Sequence, residues 1–447
     1  MKRIIAIVLT FCAFVCSAQA LPGKWKITKT AAAQKYASLW TGKEHKVPAT
    51  ECGEAYMTVE QSPANRGNEL KYSIYLDQMP LVEGLLEGDC LMFVIPAGKQ
   101  KVGPFVELDL MIGSRPAAPR YFVVEYFEKG EWKLSQAALR TAKEDSSIKY
   151  NVKLSGRNSE PADVLQTIRF SKPVKGDVKI RLRAVGGIAC SGEPLKAGAE
   201  DSGVRLLSYG YIAGYVADYG STAPKDTTTV AWVGNSFTFV NAADFILKQL
   251  AWNEGHYLDM NVSTYPGARF RNHLTLETSL DVITQGGYQY VFLQDQSQQA
   301  ARYGRDSTAT IKEHTQTLSS VFRYFSPDCK FVYEQTWAFE KDEYGGFGSF
   351  EEFDRCADKG AALLAKVVGG EVSPIAQAFA IVRAERPDIN PYSTDFHHPA
   401  DYGAYLKACV NYLVMFKKPF GDNPADFALN PEITAYLRSV AERVVLK

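Results

Sequence analysis

The sequence predicts a two-part fold: an antiparallel β-sandwich over residues 21–218, a linker at 219–227, and an α/β domain over 228–447 built on a parallel sheet. Three observations lead there. Between residues 24 and 219, short runs alternate apolar and polar side chains, are rich in Val, Tyr and Phe, and are separated by Gly, Pro, Asn and Ser, the mark of half-buried strands. Tyr219-Gly-Ser-Thr-Ala-Pro-Lys-Asp-Thr then reads as a linker by composition. Beyond it the strands become nearly continuous apolar runs separated by stretches of helical spacing, as in a parallel sheet covered by helices on both faces.

Composition sets the class. The 447 residues are 46% hydrophobic and 22% charged, the balance of packed cores, with length for two or three domains at roughly 100–200 residues each. Fifty basic residues against fifty acidic ones leave no cationic field for nucleic acid. The first twenty residues read as an export signal. Lys2 and Arg3 precede an apolar run, and Ser17-Ala18-Gln19-Ala20 has the small-x-small form of a cleavage site. That run is too short for a bilayer span of about 20 residues, so the expected product is secreted or periplasmic, cut after Ala20, without an integral membrane segment. Loss of Lys2 and Arg3 leaves 48 basic against 50 acidic residues. Cys12 and Cys16 leave with the signal, and six cysteines remain: Cys52, Cys90, Cys190, Cys329, Cys356 and Cys409. They lack zinc-site spacing and read as structural, with Cys329–Cys356 the expected clip and Cys409 a free core thiol.

In the first half, strands are expected at 70–76, 105–111, 121–127 and 178–184, with an early helix at 30–39. In the second, strands are expected at 228–233, 290–293, 330–333 and 372–375, and helices at 242–252, 311–324, 353–368 and 400–416.

Open parallel sheets bind ligands beyond the carboxyl ends of their strands, so the residues there carry the functional reading. Gly234-Asn235-Ser236-Phe237-Thr238 follows the first apolar strand. A serine at such a turn stands at the sheet edge beside free backbone N–H groups, but its hydroxyl needs a base. Asp395-Phe396-His397-His398-Pro399 supplies one. His398 is held extended by the proline, Pro399 opens the last long helix, and Asp395 can turn back to His398 Nδ1 and fix its tautomer. His397 is the rival base. Asn235 is expected to hold the turn, and His256, His273 and His314 are expected to be surface or packing residues. Glu334 and Trp337, after another strand, are candidate pocket residues, with core packing the alternative for Trp337. The run Tyr344-Gly-Gly-Phe-Gly-Ser-Phe350 reads as a lid or an ordered insertion.

Val233-Gly-Asn-Ser-Phe-Thr238, Gly267, Leu293-Gln-Asp-Gln-Ser-Gln298 and Asp395-x-x-His398-Pro-x-x-x-Gly403-x-Tyr405-Leu resemble the blocks of the SGNH (GDSL-like) hydrolases, most nearly the branch whose first block reads Gly-Asn-Ser-Phe-Thr. The resemblance spans residues 228–420. It implies a flavodoxin-like three-layer α/β/α fold and ester hydrolysis, often of acetyl groups on carbohydrate, with no metal or other cofactor. Residue by residue it implies Ser236 as nucleophile, His398 as general base and Asp395 as orienting carboxylate. The backbone N–H groups of Ser236 and Gly267 are implied oxyanion donors. The family's third donor is an Asn from Gly-x-Asn-Asp, which this chain lacks; Gln296, or else Gln294, stands at that strand end. In the first half, 168–182 resembles the closing hairpin of galactose-binding-like jelly rolls.

The expected function is a secreted serine esterase acting on acylated, chiefly acetylated, glycans. The second reading is a glycan-binding protein that keeps the α/β half as a scaffold, since fold does not fix activity. A metal-dependent hydrolase comes third, without a His-x-x-x-His or carboxylate cluster at ligand spacing.

Overall fold

The computed structural model describes residues 21–24, 38–48, 55–75, 79–96, 101–137, 139–157, 162–172, 174–216, 226–340, 345–421, 426 and 429–446. The expected signal at 1–20, most of the 30–39 helix, Cys52, linker residues 219–225 and Tyr344 lie outside them.

Among the described residues the first half forms two seven-stranded antiparallel sheets. One is built on Lys101–Ser114 and Val204–Val216, the other on Pro119–Glu128 and Val178–Ala189. Alternation does the sorting: Val178, Ile180, Leu182 and Ala184 are wholly buried while the residues between them are half-exposed. These four join Val106, Leu108, Leu110 and Ile112 of the other sheet in one core. The run 168–182 is not the hairpin expected from its pattern. Ala162–Arg169 pairs with Lys101–Ser114, whereas Val178–Ala189 pairs with Cys90–Ile95 and Pro119–Glu128, so the chain crosses from one sheet to the other.

The second half is a parallel sheet with helices on both faces. Its strands are β1 (Asp226–Gly234), β2 (His256–Thr264), β3 (Tyr290–Leu293), β4 (Lys330–Glu334) and β5 (Glu371–Ser373), in the order β2-β1-β3-β4-β5. Every pairing is parallel, and the order is that of flavodoxin-like doubly wound sheets. β1 begins two residues inside the expected linker. Val230 and Trp232 of β1 face one core, shared with α2 (Ala243–Asn253), α8 (Ile375–Glu385), α9 (Asp401–Phe416) and α10 (Pro431–Val445). Ala231 and Val233 face the other, shared with α4 (Glu277–Gln285), α6 (Ala309–Phe325) and α7 (Phe350–Val368). Short helices α1 (Ser236–Phe239), α3 (Phe270–His273) and α5 (Gln299–Asp306) follow the carboxyl ends of β1, β2 and β3.

Strand β2 escaped the sequence reading because it is the edge. Polar residues interrupt it at Asp259, Asn261 and Ser263, and its outer side meets Ala162–Arg169 of the first half. There the Arg169 guanidinium lies 4.9 Å from the centre of the Tyr257 ring, and Arg140 pairs with Asp281 at 2.7 Å. The Cys329–Cys356 clip is not formed: Cys90, Cys190, Cys329, Cys356 and Cys409 are all buried free thiols. Cys329 packs with Phe331 and Cys356 with Phe353, in separate apolar clusters. Among the described residues, no helix is long and apolar enough to cross a membrane.

Candidate active site

The turn after β1 has room for glycine alone at 234, where a Cβ would lie 2.6 Å from Thr238 Oγ1 and 2.8 Å from Gln294 Oε1. Asn235 caps α1 by accepting from Phe237 N–H. It also donates through Nδ2 to Ala268 O (3.0 Å) and Asp295 O (3.2 Å), while its backbone N–H donates to Gln294 Oε1 (2.9 Å). One side chain thus ties together the loops leaving β1, β2 and β3, and Ser236 opens the helix it caps.

His398 Nε2 stands 2.7 Å from Ser236 Oγ, and His398 Nδ1 stands 2.5 Å from Asp395 Oδ2. An Asx-type turn makes the second contact. Asp395 Oδ1 accepts from Ser393 Oγ (2.7 Å) and from the backbone N–H groups of His397 (3.1 Å) and His398 (3.0 Å). Phe396 between them adopts the left-handed φ of 64°, the strained kind of backbone found at functional turns. Burial works against the Asp395 charge, yet the hydrogen bonds from His398, Ser393 and the two backbone groups outweigh it and hold the carboxyl well below the usual carboxylate range. The ionised carboxylate keeps the His398 proton on Nδ1 and leaves Nε2 to accept from Ser236. Burial lowers the His398 pKa from its ordinary 6.5, partly offset by Asp395.

The loop carrying Asp395 and His398 is fastened at three points. Asn241 Nδ2 donates to Pro399 O (2.7 Å), Trp337 Nε1 to His397 O (2.9 Å), and Ala400 N–H to Pro391 O (2.8 Å). Pro391 rests on α9 where Gly403 leaves the helix bare, since a Cβ there would come within 2.1 Å of Pro391 O. Gly403→Ala is therefore expected to push the loop off the helix and to lower kcat/KM about 10- to 100-fold, the rate equivalent of an overpacking cost of about 1–3 kcal/mol; steady-state kinetics on any ester the wild type cleaves checks it.

Among the described residues, neither the Ser236 nor the Gly267 backbone N–H has an internal hydrogen-bond partner. Register places their turns side by side: Gly234 pairs with Thr264, and Tyr265 N–H donates to Gly234 O (3.3 Å). Gly267 takes a φ of 67°, which favours glycine. The two glutamines separate. Gln294 is 1% exposed and its amide nitrogen donates to Asn235 Oδ1 and to Asp295 O, so it braces the turn and presents no hydrogen to a substrate. Gln296 is half-buried, donates one amide hydrogen to Ser297 Oγ (2.9 Å) and, among the described residues, has no acceptor for the second.

Glu334 and Trp337 do not line a pocket. The Glu334 side chain is wholly buried and pairs with Lys407 Nζ (3.0 Å), with Trp232 Nε1 (2.9 Å) and Asn411 Nδ2 (2.6 Å) as further donors. Lys407, equally buried, also donates to Phe237 O (3.1 Å), the carbonyl next to Ser236. Trp337 is 1% exposed and stacks between Phe237 (centroids 4.5 Å apart) and Phe379 (4.3 Å). Core packing is its place, and its indole N–H steadies the histidine loop.

Residues missed by the sequence reading are thus Lys407, Asn411, Asn241, Ser393 and Asp295. Asp295, fully buried, accepts from Phe270 N–H (3.0 Å) and Gln296 N–H (2.8 Å), and burial pushes its pKa up to about 7. Lys407 and Asn411 were visible in one respect. They are polar residues four apart in a helix that is otherwise apolar beyond Asp401 in its first turn, and such residues need a buried partner.

His397 Nδ1 bonds to Asp395 O (2.8 Å), and among the described residues it is His398, not His397, that meets Ser236 Oγ. His273 is buried against Ser279 Oγ (2.8 Å), and His256 pairs with Asp226 (3.0 Å). Phe347 and Phe350 are buried against Phe353, so residues 345–350 form a packed insertion. Among the described residues, Asp395, His397 and His398 have donor atoms within 4.8 Å of one another. The 2.5 Å contact of His398 with Asp395 is a hydrogen bond, whereas two ligands of one ion at roughly 2.0–2.2 Å stand about 3 Å apart.

No family model matches the chain, and no curated protein matches it. Among solved structures it is similar to a DUF4886 family protein from Bacteroides uniformis, at 17% identity and a TM-score of 0.43, covering 49% of this chain and 95% of that one. It is also similar to the acetyl xylan esterase AlAXEase (14%, TM-score 0.31, 41% and 98% covered). A family two carbohydrate esterase from Cellvibrio japonicus is similar over 87% of this chain and 99% of its own, at 8% identity and a TM-score of 0.29.

Proposed function

We propose that the chain is a serine ester hydrolase of the SGNH type, acting on acyl esters of carbohydrate, with acetyl the expected group. One observation carries the reading: the continuous hydrogen-bonded line Ser236–His398–Asp395, with 2.7 Å and 2.5 Å contacts at a strand-to-helix turn. Ser236 Oγ attacks the ester carbonyl as His398 Nε2 takes the hydroxyl proton. The oxyanion accepts from the unpartnered N–H groups of Ser236 and Gly267, with Gln296 as third donor. Collapse expels the alcohol, which leaves with the proton from His398. Water then attacks the acyl-enzyme through the same base, and the acid departs. Export by residues 1–20 and a jelly-roll-like accessory role for residues 21–218 belong to the same reading.

A fluorophosphonate tests it directly. Wild-type protein is expected to be labelled at Ser236, identified by peptide mass, and to release acetate from p-nitrophenyl acetate and from at least one acetylated glycan. A protein that takes no label and is no faster than Ser236→Ala on every ester is the glycan-binding scaffold instead.

A further inference from the structure

The turns that leave β1, β2 and β3 are joined by two side chains, Asn235 and Asp295. Asn235 Nδ2 donates to Ala268 O (3.0 Å) and to Asp295 O (3.2 Å). Asp295 closes the brace from the other side. One carboxylate oxygen, Oδ1, accepts from Phe270 N–H (3.0 Å) at the start of α3 and from Gln296 N–H (2.8 Å). Among the described residues Oδ2 has no hydrogen-bond partner, and no Lys, Arg or His forms an ion pair with the group. A carboxylate only 4% exposed is costly to bury without a cation, so the two backbone N–H groups are its principal stabilising contacts.

Position gives the brace a use. Ser236 follows Asn235, Gly267 precedes Ala268 and Gln296 follows Asp295, so each donor proposed for the oxyanion is the chain neighbour of a braced residue. The Gly267 turn is closed by Ala268 N–H on Tyr265 O (3.0 Å). Past Ala268 the chain is tied to the β3 turn through Phe270 N–H on Asp295 Oδ1. We propose that Asp295 is a positioning residue: its Oδ1 fixes the spacing between the Gly267 and Gln296 donors, and with it the shape of the oxyanion hole at Ser236. The inference rests on the esterase reading and adds to it a residue that touches no substrate. The role needs an acceptor and not a charge, because the side-chain oxygen of an asparagine has lone pairs for both N–H groups.

Kinetics on p-nitrophenyl acetate and inhibition by methylboronic acid, a tetrahedral mimic once it adds to a serine, test this in full-length mature protein. Asp295→Ala is expected to lower kcat by about 100-fold, the cost of a donor displaced by roughly 1 Å, with KM within about 3-fold of wild type. The inhibition constant of the boronic acid is expected to rise in the same proportion. Neither KM nor the inhibition constant depends on how much of the protein is folded, so a variant that is merely less stable leaves both unchanged. Asp295→Asn, which keeps the acceptor, is expected to bring kcat and the inhibition constant to within about 10-fold of wild type. Should Asp295→Ala yield no folded protein, Asp295→Ser decides by the same constants: its hydroxyl is too short to span both N–H groups, and boronic acid binding is expected to weaken by about 10-fold or more. A boronic acid that binds the Ala or the Ser variant as tightly as wild type overturns the proposal, as does an Asp295→Asn as impaired as Asp295→Ala. A wild type that cleaves no ester and binds no boronic acid overturns the esterase reading, and this role falls with it; an active wild type matched by Asp295→Ala overturns the role alone.

Discussion

His398→Ala is expected to lower kcat on p-nitrophenyl acetate by roughly 10⁴- to 10⁶-fold, and adding Ser236→Ala is expected to cost little more, because members of one relay fail together. Asp395→Asn is expected to cost roughly 10⁴-fold, since an amide no longer fixes the tautomer that leaves Nε2 unprotonated. The pH profile carries the sharper content. In the proposed mechanism the base is neutral His398, so kcat/KM is expected to rise with pH as the imidazolium loses its proton and then to level. Burial holds that pKa below its ordinary 6.5, which puts the midpoint of the limb below about 6.5. Asp395 pulls the pKa upward by hydrogen bond and charge, so Asp395→Asn is expected to move the midpoint lower still. A midpoint that stays in place would detach Asp395 from the imidazole. These profiles separate an electrostatic partner from a residue that merely shapes the loop.

Lys407→Met is the substitution expected to damage the fold most. It leaves the Glu334 carboxylate wholly buried and without its cation, a loss of about 3–5 kcal/mol when one partner of a buried pair is removed. It also frees Phe237 O, the acceptor that Lys407 holds from below the Ser236 turn. At roughly 2–4 °C per kcal/mol for a unit of this size, thermal unfolding of the α/β half is expected to fall by about 6–20 °C. Adding Glu334→Gln removes the stranded charge while keeping a carbonyl oxygen for Asn411 or Trp232. The double variant is therefore expected to be more stable than Lys407→Met alone, a sign that independent effects cannot produce. Melting curves of the four proteins close that cycle.

What was legible in the sequence follows the range of the forces involved. The hydrogen-bonded line of Ser236, His398 and Asp395 was legible because a strand-end turn and an Asx turn are local, each written within a few residues. Glu334 was placed correctly at the end of a strand but turns into the core instead of a pocket, and Trp337 takes the core-packing alternative left open for it. Position along the chain says that a residue follows a strand, not whether its side chain meets solvent or the Phe237–Phe379 stack. Gln294 and Gln296 differ by two residues and by everything else, because one faces Asn235 and the other the loop. Lys407 and Glu334 stand 73 residues apart, a pairing that only the assembled sheet reveals. The expected hairpin at 168–182 failed for the same reason: alternation identifies strands and their buried faces, while the partner strand is set by the two assembled sheets.

The contact of Ala162–Arg169 with the outer side of β2 bears on how the protein behaves when cut. An edge strand offers unpaired N–H and C=O groups to any other chain, and β2 is the edge nearest the Ser236 turn. In the intact chain the first half occupies that flank, with Arg169 over Tyr257 and Arg140 on Asp281. Separated from it, residues 226–447 would present the outer edge of β2, with Tyr257 on it, to one another. The same contacts that position the first half thus also cover an edge along which separated α/β halves would otherwise pair.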